Sequence, residues 1–166
     1  MTSWTDLHAA EPELAARARA ILTSTTNCVL ATLRADGSPR ASGIDPFFVD
    51  GELHLGSMPG ARKADDLARD PRLALHAVPW ESRRLREGAE DPGDADAKIT
   101  GRAVEIPHDE AVAMMTAYFA ERGIDAPADG NLYRIDLDSV AVISVVDDQL
   151  VVDSWTAERG RSTVRR

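Results

Sequence analysis

The chain has 166 residues, 43% apolar and 28% charged, the balance of one ordinary globular domain with a core of its own. Its formal net charge of −9 speaks against nucleic acid or an anionic membrane as a main partner, because both reward a basic surface. No stretch approaches the roughly 18 consecutive apolar residues of a membrane span. The start Met1-Thr2-Ser3-Trp4 lacks a basic region followed by an apolar one, and the lone Cys28 has no internal disulfide partner, so the expectation is a cytoplasmic protein.

Leu14, Ala18, Ile21 and Leu22 recur at helical spacing between Glu11 and Thr23, and Pro12 suits the first turn. Residues Asn27 to Arg34 alternate as a strand, and Asp36-Gly37 is a hairpin turn. Pro39 to Val49 reads as a second strand interrupted by Gly43 and Pro46, a bulge or an edge. Asp50-Gly51 is another hairpin turn, into a strand from Glu52 to Ser57. After the loop Met58-Pro59-Gly60 comes a short helix, Ala61 to Arg69, ended by Asp70-Pro71. A strand from Arg72 to Val78 and a polar loop from Pro79 to Asp96 follow, then a strand from Ala97 to Ile106. Pro107 to Arg122 is a helix with an acidic start and a basic end, closed by Gly123. Strands are expected at Asn131 to Leu137, Val140 to Val146 and Gln149 to Trp155, with a polar, basic tail from Thr156. Close-set hairpins favour an antiparallel barrel. Six or seven strands, three helices and one domain spanning residues 1–166 are expected.

The segment richest in chemistry runs from Leu55 to Val78. Arg62 and Lys63 open a helix directly after a strand that ends in Ser57. A helix N-terminus presents unpaired N–H groups and a partial positive charge. Cations there oppose the dipole unless an anion is bound, so the pair fits a phosphate, with Ser57 adding a hydroxyl donor. The same two cations also fit a solvated surface helix. Elsewhere no His-Glu-x-x-His, Cys-x-x-Cys or Gly-x-Ser-x-Gly motif occurs. His54 and His76 read as core or rim residues, His108 as a helix start and Cys28 as buried and inert. Met114, Met115, Tyr118 and Phe119 read as core.

Three pieces in order resemble the pyridoxamine 5′-phosphate oxidase-like superfamily. They are the hairpin NCVLATLRADGSPRASG from Asn27 to Gly43, the Ser57 to Arg72 segment with Ala61-Arg62-Lys63-Ala64 and Asp70-Pro71-Arg72, and the strand Thr100-Gly101-Arg102-Ala103. The resemblance implies a split β-barrel that forms a homodimer with two cofactor sites at its interface. By position it puts Arg40, Ala41 and Ser42 along the isoalloxazine edge of FMN, and Ser57, Arg62 and Lys63 on its phosphate. Trp155 and Arg161 are candidates to face the partner's cofactor, and Trp155 fits a structural cap as well. The chain departs from the vitamin B6 oxidases at Asp45, where they carry a basic residue, and in its His-free C-terminus. Asp45 is expected to point away from a phosphate.

The resemblance thus implies an FMN-dependent oxidoreductase acting on a small molecule. The superfamily also contains reductases using the deazaflavin F420, for whose acidic tail Arg83, Arg84 and Arg86 are candidates. It further contains non-enzymatic binders of flavin or haem.

Overall fold

The computed structural model describes residues 2–24, 28–77, 95–126 and 129–166. Its first helix, α1 (Trp4–Ala10), is not anticipated by the periodicity, because seven residues are too few to show one. Its start is specified locally: the Ser3 hydroxyl accepts from the Asp6 N–H and the Asp6 carboxylate accepts from the Ser3 N–H, each at 3.0 Å. Helix α2 (Pro12–Thr23) buries Leu14, Ala15, Ala18, Ile21 and Leu22, the stripe expected of it.

Strands β1 (Cys28–Leu33) and β2 (Pro39–Ile44) form the hairpin set by Asp36-Gly37. The segment expected to be one strand from Pro39 to Val49 is two. Ile44 and Pro46 are both buried while Asp45 between them is exposed, and there the chain leaves β2 to begin β3 (Pro46–Val49). Strand β3 pairs with β4 (Glu52–Ser57) across Asp50-Gly51, both at positive φ as a tight hairpin requires. Helix α3 (Arg62–Arg69) leads into β5 (Arg72–Ala77). The loop read over 79–96, with its three arginines, lies outside the described residues as far as residue 94.

Strand β6 (Ala95–Glu105) is followed by α4 (His108–Ala120) and by β7 (Asn131–Val146), one strand of 16 residues where two were expected. Asp138-Ser139 is not a break. Asp138 is the extra residue of a bulge, since Thr100 faces Ser139 while Gly101 faces Leu137. Strand β8 (Gln149–Thr156) hairpins with β9 (Gly160–Arg165), so the tail expected after Thr156 is a strand too.

Among the described residues every pairing is antiparallel, and nine strands stand where six or seven were expected. The path β2-β1-β5-β6-β7-β4-β3 puts two strands adjacent in sequence at opposite ends of one sheet, which does not close. β8 and β9 extend from β7. This is a mainly β, split-barrel fold with flanking short helices. Its core joins Leu14, Ile21 and Leu22 of α2 to Leu30, Leu53, Leu75, Ile99 and Ile135 from five strands. Among the described residues no helix is long and apolar enough to cross a membrane.

Candidate functional site

The split at Asp45 and the start of α3 lie on one cleft of about 490 Å3. Gly43 and Asp45 come from the end of β2, Ser57 from the end of β4, and Lys63 from the first turn of α3. Helix α4 and its following turn supply the facing wall, with Met115, Tyr118, Phe119 and Arg122.

The α3 N-terminus is built without a side-chain cap: Ala61 occupies the N-cap in extended conformation. First-turn N–H groups therefore have no side chain to satisfy them. Lys63 Nζ donates to the Gly43 carbonyl at 2.9 Å, tying α3 to the end of β2. Burial lowers the Lys63 pKa. Arg62 is exposed and makes no ion pair among the described residues. Ser57 is 8% exposed, and its carbonyl lies so close to Gly130 that an added Cβ there would come within 2.6 Å of it. A glycine is needed at that approach, and its φ of +151 agrees.

The other side of α3 faces the barrel. Asp66 is 2% exposed, accepts from Arg40 Nε at 2.5 Å and Thr32 Oγ1 at 2.8 Å, and pairs with Arg69 at 3.1 Å. The Arg40 hydrogen bond leads the causes that hold its carboxyl well below the usual carboxylate range. So Arg40, placed by resemblance along an isoalloxazine edge, is bound to Asp66 and positions α3 against β1 and β2. Ala41, on the outer face of β2, is exposed and Ser42 is half-buried.

Asp45, expected to point away from a phosphate, is exposed between buried Ile44 and Pro46 and is among the residues that line the same cleft as Lys63 and Ser57. Trp155 and Arg161 lie elsewhere in the chain. Trp155 is 6% exposed within the main core. Arg161, its cross-strand neighbour, pairs with Asp153 at 2.7 Å and reaches Glu11 at 3.5 Å. Of the sequence-designated residues, Ser57 and Lys63 thus line the cleft and Arg62 is exposed beside them at the start of α3, while Trp155 and Arg161 form part of a second cluster.

The α4 wall was read from sequence as core. Ala111, Met115, Tyr118 and Arg122 share one face, and only Ala111 is buried. The Phe47 and Tyr118 rings meet at 4.6 Å, and the Arg122 guanidinium sits 3.6 Å over the Tyr118 ring while donating to the Tyr118 carbonyl at 2.7 Å. The cleft thus carries Lys63 at the α3 rim, an aromatic wall along α4 and Arg122 beyond it, with Asp45 and Asp129 as opposed charges in the same lining.

A mainly β split barrel whose open sheet is flanked by short helices is the class of fold this chain adopts. The family profile described as pyridoxamine 5′-phosphate oxidase matches residues 14–144, and the chain belongs to that family. A haem-binding protein from Mycobacterium smegmatis is similar at 27% identity and a TM-score of 0.61, over 87% of this chain and 58% of the other. A pyridoxamine 5′-phosphate oxidase-related, FMN-binding protein from Nostoc punctiforme shares the fold at 14% identity and a TM-score of 0.62, over 96% of both chains. Campylobacter jejuni ChuZ shares it at 12% identity and a TM-score of 0.65, over 92% of this chain and 61% of the other. The chain thus spans less than two thirds of the mycobacterial protein's length. Comparison with curated proteins finds no significant match.

Proposed function

We propose that this protein is an FMN-dependent oxidoreductase acting on a small molecule, with the flavin in the cleft between α3, β4 and α4 at a homodimer interface. One observation carries the reading: Lys63, in the first turn of an uncapped helix, lines an aromatic-walled cleft together with Ser57, and exposed Arg62 stands next to it in the chain, neither cation in an ion pair among the described residues. The donor set fits a phosphate monoester. Arg62 offers a two-point contact, Lys63 a point charge, Ser57 a hydroxyl, and the first turn of α3 its N–H groups. Phe47, Met115 and Tyr118 supply an apolar surface for a planar ring. When bound, the flavin supplies two-electron transfer chemistry, and the protein contributes orientation and exclusion of water.

The test is titration of cofactor-free protein with FMN, followed by flavin fluorescence. Arg62→Ala with Lys63→Ala is expected to weaken FMN by roughly a hundredfold or more, since each charge-assisted contact contributes about 1.5–3 kcal/mol. Unchanged affinity in a folded double variant overturns the assignment.

A second reading is haem binding, favoured by the mycobacterial haem-binding protein at 27% identity. The cleft offers Met115 and Tyr118 as side chains able to approach an iron. Parallel titrations with haem and with F420 separate the readings by the absorption of the bound group. Tight haem binding with no FMN binding replaces the flavin reading.

A further inference from the structure

Helix α4 ends in a fixed geometry. The Ile124 N–H donates to the Phe119 carbonyl at 3.1 Å and the Gly123 N–H to the Ala120 carbonyl at 3.1 Å, with Gly123 at a φ of +65. This closure pins the backbone at Arg122, the residue before the left-handed glycine. The side chain is pinned as well. Arg122 Nη1 donates to the Tyr118 carbonyl at 2.7 Å, and the guanidinium lies 3.6 Å over the Tyr118 ring. Tyr118 is itself held against buried Phe47, ring to ring at 4.6 Å. Capping that helix-end carbonyl uses Nη1 alone. Nε and Nη2 make no hydrogen bond among the described residues. The pairing of Nη1 with Glu121 at 3.7 Å is a surface contact of little strength, because the Glu121 side chain is 79% exposed.

The Nε–Nη2 edge of a guanidinium carries two parallel N–H donors, the spacing that a carboxylate accepts with both its oxygens. A fork already stacked on a ring and tied at Nη1 gives up little freedom in doing so. The surroundings define the rest of the ligand. Arg122 and Tyr118 line the cleft of the candidate site, and Met58, Val112 and Ile124, all large, apolar and exposed, line it too. Apolar surface left open around a concave site marks a ligand groove. The other charged side chains among the described lining residues are Lys63, Asp45 and Asp129, and Asp129 Oδ1 accepts from the Gly130 N–H at 2.8 Å. Two cations and two carboxylates cancel, so an anion is selected here by contact with Arg122 and not by a general field.

We infer that the Arg122 end of this cleft binds the carboxylate of an apolar, ring-bearing acid. Its two oxygens accept from Arg122 Nε–H and Nη2–H, and its apolar body lies against the exposed apolar side chains of the same lining. The inference rests on the flavin reading only in naming this acid as the class of small molecule on which the flavin acts. The binding itself needs Arg122 and the cleft.

Benzoate, benzamide and benzamidinium share one shape and differ in charge, and they make the test. Each is titrated at pH 7 into the 15N-labelled full chain, cofactor-free and again with FMN added, and the backbone amide resonances from Phe119 to Ile124 are followed. Benzoate is expected to shift them saturably in both states, with benzamide roughly tenfold weaker and benzamidinium without effect. Arg122→Gln, at an exposed position, should weaken benzoate roughly tenfold or more. Arg122→Lys keeps the charge and loses the fork, and should weaken it roughly threefold. No saturable shift with benzoate, an equal response to benzamide, or a benzoate response untouched by Arg122→Gln overturns the inference. Benzoate excluded by bound FMN overturns it as the class on which the flavin acts. Benzoate binding in a chain that takes no FMN keeps the carboxylate site and removes the flavin reading, and FMN binding without benzoate binding does the reverse.

Discussion

Lys63 and Asp45 line one cleft with opposed charges, and in the proposed reading both act on the flavin phosphate. Two unit charges about 4 Å apart interact by roughly 1 kcal/mol in water and by more near a protein surface. Removing the Asp45 charge is therefore expected to favour a bound phosphate. Asp45→Asn should tighten FMN by roughly threefold to tenfold, read by the same fluorescence titration. Unchanged or weaker binding would place the phosphate away from this rim. Asp66 acts differently, through position. Its carboxyl is held below its ordinary value by Arg40, Thr32 and Arg69, so the unfolded chain binds the proton more readily than the folded one. The stability it contributes is complete above the unfolded value of about 4 and is lost as pH falls below it, toward the depressed folded value. Urea midpoints measured from pH 6 to pH 3 should fall steeply for the wild type. The slope for Asp66→Asn should be shallower, from a lower starting point.

At the scale of elements, the bulge where β6 meets β7 has a single-residue requirement. A Cβ at Gly101 would stand 2.2 Å from the Asp136 carbonyl oxygen, which is backbone and cannot swing aside. Gly101→Ala should cost about 3 kcal/mol, at the upper end for overpacking, seen as a lower midpoint in denaturant. Gly37→Ala serves as the comparison: its Cβ meets nothing within 4 Å, and the cost there is the positive φ alone. The same bulge shows what could be read in advance. The hairpins at Asp36-Gly37 and Asp50-Gly51 were legible because turn chemistry is local, and so was the α2 stripe. The unity of β7 was not, since Asp138-Ser139 resembles a turn until β6 is alongside. Nor was β9: its run of Arg161, Thr163 and Arg165 carries the polar pattern of an edge strand and reads as a tail. In the candidate site, Ser57, Arg62 and Lys63 could be singled out because a helix start is a local feature, and of these Ser57 and Lys63 line the cleft. The engagement of Arg40 was not, for its partner Asp66 lies 26 residues on. Along α4, Met114, Met115 and Tyr118 have core spacing and do pack, partly buried, on the small cluster of Phe47, Ala111 and Leu132, but that Met115 and Tyr118 also line a cleft is set by the sheet and is not local to the helix.

At the scale of the molecule, the homodimer proposed for cofactor binding needs a surface, and the outer face of β7, β8 and β9 offers one. Val145 faces Leu150 across the β7–β8 ladder, Ile143 faces Val152, and Val152 faces Val164. Alternation then puts all five side chains on one side of the sheet. Val145 is 55% exposed, Leu150 42% and Val164 43%, a contiguous apolar patch of the kind that marks a protein contact. Val145→Asp with Leu150→Asp puts charge in its middle without touching the core. If the patch is the dimer contact, sedimentation should change from twice 17.9 kDa to the single-chain mass. Desolvating two carboxylates at an interface costs several kcal/mol, enough to dissociate a dimer of ordinary area at micromolar concentration. FMN affinity should fall with the dimer, because a cleft open on one side loses the wall that its partner supplies. A variant that stays dimeric puts the contact on another face. A monomer that binds FMN as tightly as the wild type makes the cleft between α3 and α4 complete in one chain, with the dimer irrelevant to the cofactor.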